Sequence, residues 1–137
     1  MKPVFLDTNV LLYSISRNPG ENEKRACAIA LLERDDCALS VQVLQEFYVQ
    51  ATRPSRADPL PHDIAAGLMR AWGRFRVQET TVTLVHAALE LQARYGFSYW
   101  DAAIVAAAIA QGCETLFTED LSHGQVVEGV RIVDPFR

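Results

Sequence analysis

The stretch "VFLDTNVLLY", residues 4–13, decides the fold class of this chain. Residues 4–6 read as a short buried strand, and a helix is predicted to begin around Thr8. Asp7 and Asn9 interrupt a run that is otherwise apolar. A buried carboxylate is costly unless it is protonated, hydrogen-bonded or bound to a cation. Asp7 therefore either caps the helix or belongs to a site, and the local pattern leaves both interpretations open.

The rest of the chain alternates short apolar strands with helices. Ser40 and Ser98 are predicted N-caps, Gly96 and Gly112 are predicted helix ends, and the proline-rich residues 53–61 form the longest loop. Further strands are predicted at 37–39, 75–78, 115–118 and 130–133, and helices at about 21–34, 40–52, 62–73, 83–95 and 98–111. This alternation predicts one domain over residues 1–137, with a parallel sheet covered by helices on both faces.

Composition narrows the class of protein. Half of the 137 residues are hydrophobic and the formal net charge is −4, which argues against a protein that coats nucleic acid by charge alone. The three cysteines lack metal-ligand spacing and are typical of a reducing compartment. No signal peptide is apparent, and the longest apolar run is far shorter than the roughly 20 residues of a membrane span. We expect a soluble cytoplasmic protein.

Several kinds of site are excluded by their missing motifs. The chain has no phosphate-binding loop, no dinucleotide fingerprint, no nucleophile elbow and no H-E-x-x-H zinc motif. The histidines, His62, His86 and His123, have no Cys or His at zinc spacing, so surface or structural roles are favoured for them.

The carboxylates remain as candidates. Asp7 and Asp120 each follow a predicted strand, and sites in open parallel sheets form outside the carboxyl ends of strands, where the strand order reverses. If those strands are neighbours, both side chains face one crevice. Asp120 in a polar turn is the alternative.

Two further acids have competing structural explanations. Ser98 and Asp101 match the S-x-x-D capping box at the start of a nearly all-apolar helix, so Asp101 is either a cap residue, a site residue or both. Glu46 lies off the apolar stripe of its helix, near Gln42 and Gln50, and an exposed glutamate is the default interpretation.

Four segments in order resemble one known family. "FLDTNVLLY", "SVQVLQEFYV", "SYWDAAIVAAA" and "LFTEDLSHGQ", followed by "GVRIVDPF", are similar to PIN-domain proteins, and most similar to the VapC-type ribonuclease toxins of bacterial toxin–antitoxin pairs. The resemblance runs from Val4 to Phe136. It implies a three-layer α/β/α fold with a five-stranded parallel sheet.

The resemblance also implies a site and partners. Asp7, Glu46, Asp101 and Asp120 would be the acidic quartet, with Asp7, Asp101 and Asp120 as ligands of Mg²⁺ or Mn²⁺. Thr118, Asn9 and Thr8 match polar positions that support the cluster, and Glu119 beside Asp120 is the competing carboxylate. The resemblance implies that the chain cleaves RNA, forms a homodimer as these toxins usually do, and is inhibited by a cognate antitoxin. Hard oxygen ligands suit these cations, which also relieve the repulsion between converged carboxylates.

RNA phosphates beside such a centre need cations. Arg53, Arg56 and Arg74 are weak candidates, since solvated surface arginines are the default. Tyr95, Tyr99 and Trp100 could stack on unpaired bases, although core packing is favoured. A non-catalytic RNA-binding or adaptor module with the same fold is the alternative function, and a magnesium-dependent phosphatase is a smaller one.

Overall fold

A central, mostly parallel sheet organises the fold. The computed structural model describes residues 2–137. Its strands are β1 (Val4–Leu6), β2 (Cys37–Ser40), β3 (Arg76–Gln78), β4 (Thr115–Phe117), β5 (Val126–Val127) and β6 (Val130–Val133), in the order β3-β2-β1-β4-β6-β5. Its helices are α1 (Thr8–Ser14), α2 (Asn22–Leu32), α3 (Val41–Thr52), α4 (His62–Trp72), α5 (Val82–Tyr95) and α6 (Tyr99–Ala110), with a 3₁₀ turn at Pro19–Glu21.

Helices cover both faces of this sheet. The chain passes from β1 through β2 to β3, and then returns to β4 on the other side of β1. Because parallel crossovers are right-handed, the two directions of travel place their helices on opposite faces. Helices α1 to α4 contact one another, while α5 packs on α6, which contacts β2, β4 and β6. The predicted three-layer arrangement is confirmed.

The buried strands explain the apolar sequence pattern. Phe5, Leu6, Leu39, Leu116 and Ile132 are fully buried, as expected for strands covered on both faces. Helix α6 is buried over Ala102–Ala108, where mostly small side chains let it lie close to the sheet and to α5. The core is therefore continuous across the sheet.

The helix ends follow the predicted signals. The hydroxyl oxygens of Ser40 and Ser98 accept hydrogen bonds from Val43 N and Asp101 N, each at 3.2 Å. Gly96 ends α5 with φ +76°, a left-handed conformation that favours glycine.

Cys37 and Cys113 are buried and Cys27 is partly buried, all as free thiols.

The sheet has six strands where five were predicted. The five predicted strands are parallel to their neighbours, and β5 adds a two-residue antiparallel pairing with β6. Glu128 and Gly129 connect them with φ values of +48° and +87°, as in a type I′ hairpin turn. Glutamate is not a usual residue at the first position of that turn, and two residues are too short to show alternation. Strand β5 therefore has no sequence pattern from which it could be predicted.

None of the helices over residues 2–137 has the length and apolar character needed to cross a membrane.

Candidate active site

Two strand ends meet where the chain order reverses. In β1 and β4, Leu6 pairs with Phe117, so Asp7 and Thr118 follow at the same edge of the sheet. The Asp7 N–H donates to the Phe117 carbonyl oxygen at 3.0 Å, which extends the pairing by one residue. The predicted neighbourhood of these two strands is confirmed, and their polar continuations share one crevice.

Asp7 is a buried carboxylate with two donors. Asp7 is only 6% exposed. Oδ1 accepts from the Thr8 N–H at 2.7 Å, and Oδ2 accepts from the Thr118 hydroxyl at 2.8 Å. Burial raises the pKa of Asp7 to about 7, although both hydrogen bonds oppose that shift; the charges of Asp120 and Glu46 add to it. Asp7 is thus both a helix cap and an ionisable group poised near neutrality.

Asn9 and Thr118 connect Asp7 to Asp120. The Asn9 side-chain amide donates to Thr118 Oγ1 and to Asp120 Oδ2, both at 3.1 Å. The Asp120 N–H also donates to Thr118 Oγ1, at 3.1 Å. Asn9 Oδ1 is buried and has no hydrogen-bond partner among residues 2–137. One side of the crevice is therefore an ordered polar network with one unpaired oxygen acceptor.

Glu46 reaches the same crevice from α3. The Thr8 hydroxyl donates to Glu46 Oε1 at 2.7 Å, and the Gln42 side-chain amide lies 3.4 Å from Oε2. The residue is half-buried, so the default interpretation of an exposed glutamate was wrong. The side chain is placed by a tertiary contact with Thr8 that no helical pattern could reveal.

Asp101 takes up only half of a capping box. The Ser98 hydroxyl accepts from the Asp101 N–H, as the box requires. Among residues 2–137, the Asp101 carboxylate accepts no hydrogen bond in return, and it borders the crevice instead. The cap is made by Ser98, which leaves the Asp101 carboxylate available.

A cavity of about 140 Å³ joins the four acids. Its walls come from the start of α1, from α3, from the first turns of α6 and from the segment after β4. The acidic, amide and hydroxyl side chains of the lining are Asp7, Thr8, Asn9, Gln42, Glu46, Gln50, Asp101 and Asp120. The structure therefore brings together all four acids that the sequence singled out.

The family model for the PIN domain matches residues 4–128. The chain belongs to the PIN domain family. No curated relative matches its sequence significantly.

Solved structures with the same fold include three from toxin–antitoxin systems. A toxin–antitoxin complex from Klebsiella pneumoniae has a TM-score of 0.71 at 22% identity, covering 96% of this chain and 97% of that one. VapC20 of Mycobacterium tuberculosis, a toxin that cleaves the sarcin–ricin loop, has a TM-score of 0.69 at 23% identity, covering 93% and 98%. DNA-bound VapBC from Salmonella typhimurium has a TM-score of 0.66 at 20% identity, covering 98% and 99%. At these identities the likeness establishes the fold of this PIN domain.

The donor set fits a hard divalent cation. Carboxylate and amide oxygens predominate, the unpaired Asn9 Oδ1 faces no donor, and burial penalises an ionised Asp7 that a cation would stabilise. Over residues 2–137, however, no three His, Cys, Asp or Glu side chains lie close enough together to hold a metal as they stand. The side chains of Thr8, Asn9 and Thr118 separate the acids, so a cation would require some of them to reorient.

Glu119 points to a different set of partners from Asp120. The Tyr13 hydroxyl donates to Glu119 Oε1 at 2.7 Å, and Lys24 Nζ lies 3.3 Å from Oε2. Lys24 also lies over the Tyr13 ring, 4.8 Å from its centroid. Among residues 2–137, Glu119 therefore has its charge paired outside the 140 Å³ cavity, while Asp120 lines it.

The predicted arginines are not together. Arg56 lines a cavity of about 320 Å³ that adjoins the acids and includes Asn9 and Asp120. Arg53 is exposed at the end of α3. Arg74 comes just before β3, the outermost strand, and therefore lies at the amino ends of the parallel strands, whereas the acids lie at the carboxyl ends. Its guanidinium donates to the carbonyl oxygens of Ala71 and Leu32. The structure does not bring Arg74 to the site.

Gln42, Gln50 and Trp100 also border the acids, although none of them was predicted to be a site residue. Gln42 and Gln50 lie one helical turn on either side of Glu46, a spacing that could have identified them. Trp100 borders the cavity with 64% of its surface exposed, whereas core packing had been favoured for it. That expectation was wrong for Trp100, because the residue lies on the outer side of the first turn of α6.

Proposed function

We propose that this PIN domain is a metal-dependent endoribonuclease that acts as the toxin of a toxin–antitoxin pair. The observation that carries the proposal is the cavity in which Asp7, Glu46, Asp101 and Asp120, from four separate segments, line one wall each. The solved structures with this fold support it, because one is a toxin that cleaves the sarcin–ricin loop and others are toxin–antitoxin complexes.

The residues divide the chemistry between them. Asp7, Asp101 and Asp120 would hold Mg²⁺ or Mn²⁺, which when bound supplies an activated water and neutralises charge on the scissile phosphate. The half-buried Glu46 carboxylate would accept a hydrogen bond from the attacking water. Asn9 and Thr118 orient Asp120 and Asp7 through the contacts described above. Burial of Asp7 at the N-terminus of α1 limits its contact with bulk water.

RNA cleavage tests the proposal directly. Purified protein would be incubated with total cellular RNA in Mn²⁺ and in EDTA, beside Asp7→Asn and Asp101→Asn variants. We expect cleavage in Mn²⁺ only, and a loss of at least 100-fold in both variants, whereas Glu90→Gln, an exposed change on α5, should cut like the wild type. Cleavage that persists in EDTA, or the absence of any cut in Mn²⁺, would contradict the proposal.

A non-catalytic RNA-binding or adaptor module is the second candidate. It is favoured by the one observation that the described acids do not converge into a ready metal site. Such a module would bind RNA equally well in EDTA and in Mn²⁺, leave it intact, and retain binding in Asp7→Asn.

The proposed toxin would have protein partners. We expect a homodimer, which sedimentation velocity would detect, and a cognate antitoxin that makes apolar contacts with the helices over residues 21–52. Because the cavity is acidic, an Arg or Lys of the antitoxin is expected beside the quartet, where it replaces the cation. An antitoxin that inhibits with no basic residue near the acids would contradict this expectation.

A further inference from the structure

Trp100 is a large apolar side chain left in solvent at the edge of the acids. Its exposed fraction is 64%, although a tryptophan side chain is normally well buried. The ring is held in an edge-to-face contact with Tyr99, with centroids 5.1 Å apart and planes at 79°. The Trp100 carbonyl oxygen accepts from the Gln42 side chain at 3.3 Å, which ties the start of α6 to α3. The residue is therefore exposed but held in place.

A groove beside Trp100 is continuous with the acid cavity. It has a volume of about 330 Å³ and is lined by Gln42, Gln45, Glu46, Val49, Gln50 and Trp100. Four of these residues, Gln42, Glu46, Gln50 and Trp100, also line the 140 Å³ cavity. A molecule that occupies the groove therefore extends directly from whatever occupies the acid cavity.

The chemistry of this groove suits a nucleobase. Three side-chain amides, each both donor and acceptor, surround an aromatic face, and Glu46 is the one charged residue of the lining. A phosphate would meet no cation here. An apolar helix would find a single aliphatic residue, Val49, among amides that it would leave unpaired. A base can stack on the indole and pair its edge with the amides.

A second cavity that adjoins the acid cavity has a different lining. The 320 Å³ cavity that contains Arg56 shares Asn9, Leu12, Gln50 and Asp120 with the acid cavity. Arg56 is the one cation of that lining, beside the carboxylates of Glu21, Glu119 and Asp120. Of these two cavities, only that of Arg56 offers a cation to a phosphate, which leaves the Trp100 groove to a base.

We propose that Trp100 is the stacking platform for an unpaired base next to the scissile phosphate. The proposal rests on the nuclease function proposed above. Stacking of one base on an aromatic side chain corresponds to roughly 5- to 150-fold in binding. Substrates with a base paired into a duplex at that position would be excluded.

Binding of two decamers that differ only in their bases tests the platform. Fluorescein-labelled oligoadenylate and an abasic ribose-phosphate chain of the same length would be titrated with Ca²⁺ in place of Mg²⁺, and followed by anisotropy. We expect the wild type to bind oligoadenylate at least five-fold more tightly than the abasic chain. Trp100→Ala should bind both chains alike, and Trp100→Phe should restore most of the difference.

Controls separate this inference from its alternatives. Ile64→Ala removes a comparably exposed apolar side chain on α4 and should bind like the wild type. Thermal melts should show Trp100→Ala folded, because the ring is mostly in solvent. A Trp100→Ala variant that binds and cuts RNA normally would overturn the platform, and so would a wild type that binds neither decamer. If Trp100→Ala instead converts a dimer to a monomer without changing decamer binding, the groove is a protein interface.

Parallel cleavage assays in Mn²⁺ distinguish the two proposals. Trp100-dependent binding without any cleavage would overturn the nuclease function and leave the platform standing. Cleavage by the wild type that is unaffected by Trp100→Ala would do the reverse.

Discussion

At the scale of single residues, Asp7 shows how burial and function oppose each other. A carboxylate at the end of a central strand is nearly removed from water, and the protein stabilises its charge with only two hydrogen bonds. The result is a group that is partly protonated at neutral pH rather than fully ionised.

This balance predicts an unusual pH dependence of stability. The folded pKa of about 7 lies above the ordinary value of 3.8, so the folded state holds its proton more tightly than the unfolded chain. The free energy of unfolding should therefore fall as pH rises from 4 to 7, by at most about 4 kcal/mol from this group, and level off above. Asp7→Asn should remove that dependence and be the more stable protein at pH 8. Urea titrations in EDTA at several pH values measure it, and equal slopes in both proteins would contradict it.

Substitutions at Ser98 and Asp101, the two residues of one capping box, are expected to affect different properties: stability at Ser98 and RNA cleavage at Asp101. Ser98→Ala should lower stability by about 1 kcal/mol, because the Asp101 N–H loses its acceptor. Asp101→Asn should change stability in EDTA by less than about 0.5 kcal/mol, and yet abolish RNA cleavage and the shift of the melting temperature by Mn²⁺. Melts of both variants with and without Mn²⁺, beside the cleavage assay, decide the matter. An Asp101→Asn protein that is destabilised in EDTA and still cuts RNA would make Asp101 a cap residue alone.

At the scale of elements, substitution of alanine for glycine is expected to have opposite effects on stability at two positions, Gly67 and Gly96. Gly67 lies inside α4 on its exposed side, with nothing within 4 Å of an added methyl group, so Gly67→Ala should stabilise the protein by about 0.5 to 1 kcal/mol. Gly96 ends α5 at φ +76°, and Gly96→Ala should destabilise by about 1 kcal/mol or more. Denaturant midpoints of the pair provide the measurement, each variant being the control for the other.

Helix α6 predicts intolerance to larger side chains. Ala106 is 3% exposed in the buried part of α6, a helix that packs on α5 and on the sheet, so three more carbon atoms would have to displace neighbouring atoms. Ala106→Leu should cost about 1 to 3 kcal/mol, whereas Ala110→Leu at the exposed end of the same helix should be nearly neutral. Chemical unfolding of both proteins tests this, and equal stability would show that α6 is loosely packed.

The elements themselves were largely predictable, for local reasons. Ser40, Ser98 and Gly96 mark helix ends through hydrogen bonds and φ values that depend only on neighbouring residues. Strand β5 was not predictable, because its Glu128–Gly129 turn depends on pairing with β6 rather than on turn composition. The acids could be located by strand ends and by family resemblance, while the Thr8 contact of Glu46 and the exposure of Trp100 depend on tertiary packing.

At the scale of the whole molecule, the net charge of −4 limits how RNA can be held. Among the described residues, Arg56 lines a cavity that adjoins the acids and Arg53 contacts Arg56 through the backbone, whereas Lys24 is paired with Glu119 and Arg74 precedes β3 and bonds to the Leu32 carbonyl oxygen. With about two phosphate contacts, the logarithm of the RNA binding constant should fall with the logarithm of salt concentration with a slope of about −1.4. Anisotropy titrations over a range of KCl would measure it, and a slope steeper than about −4 would require a basic surface contributed by a partner.

The buried thiols have a consequence for reactivity. Burial raises the pKa of Cys37 to about 11 and that of Cys113 to about 12, so neither forms thiolate at neutral pH. Burial also raises the pKa of Cys27, whose Sγ donates to the Pro135 carbonyl oxygen at 3.2 Å. A cysteine introduced at an exposed position, such as Val49 on the rim of the Trp100 groove, would therefore outcompete all three native thiols for a maleimide dye or a spin label. The natural chain can carry a site-specific spectroscopic reporter without first being stripped of its own cysteines.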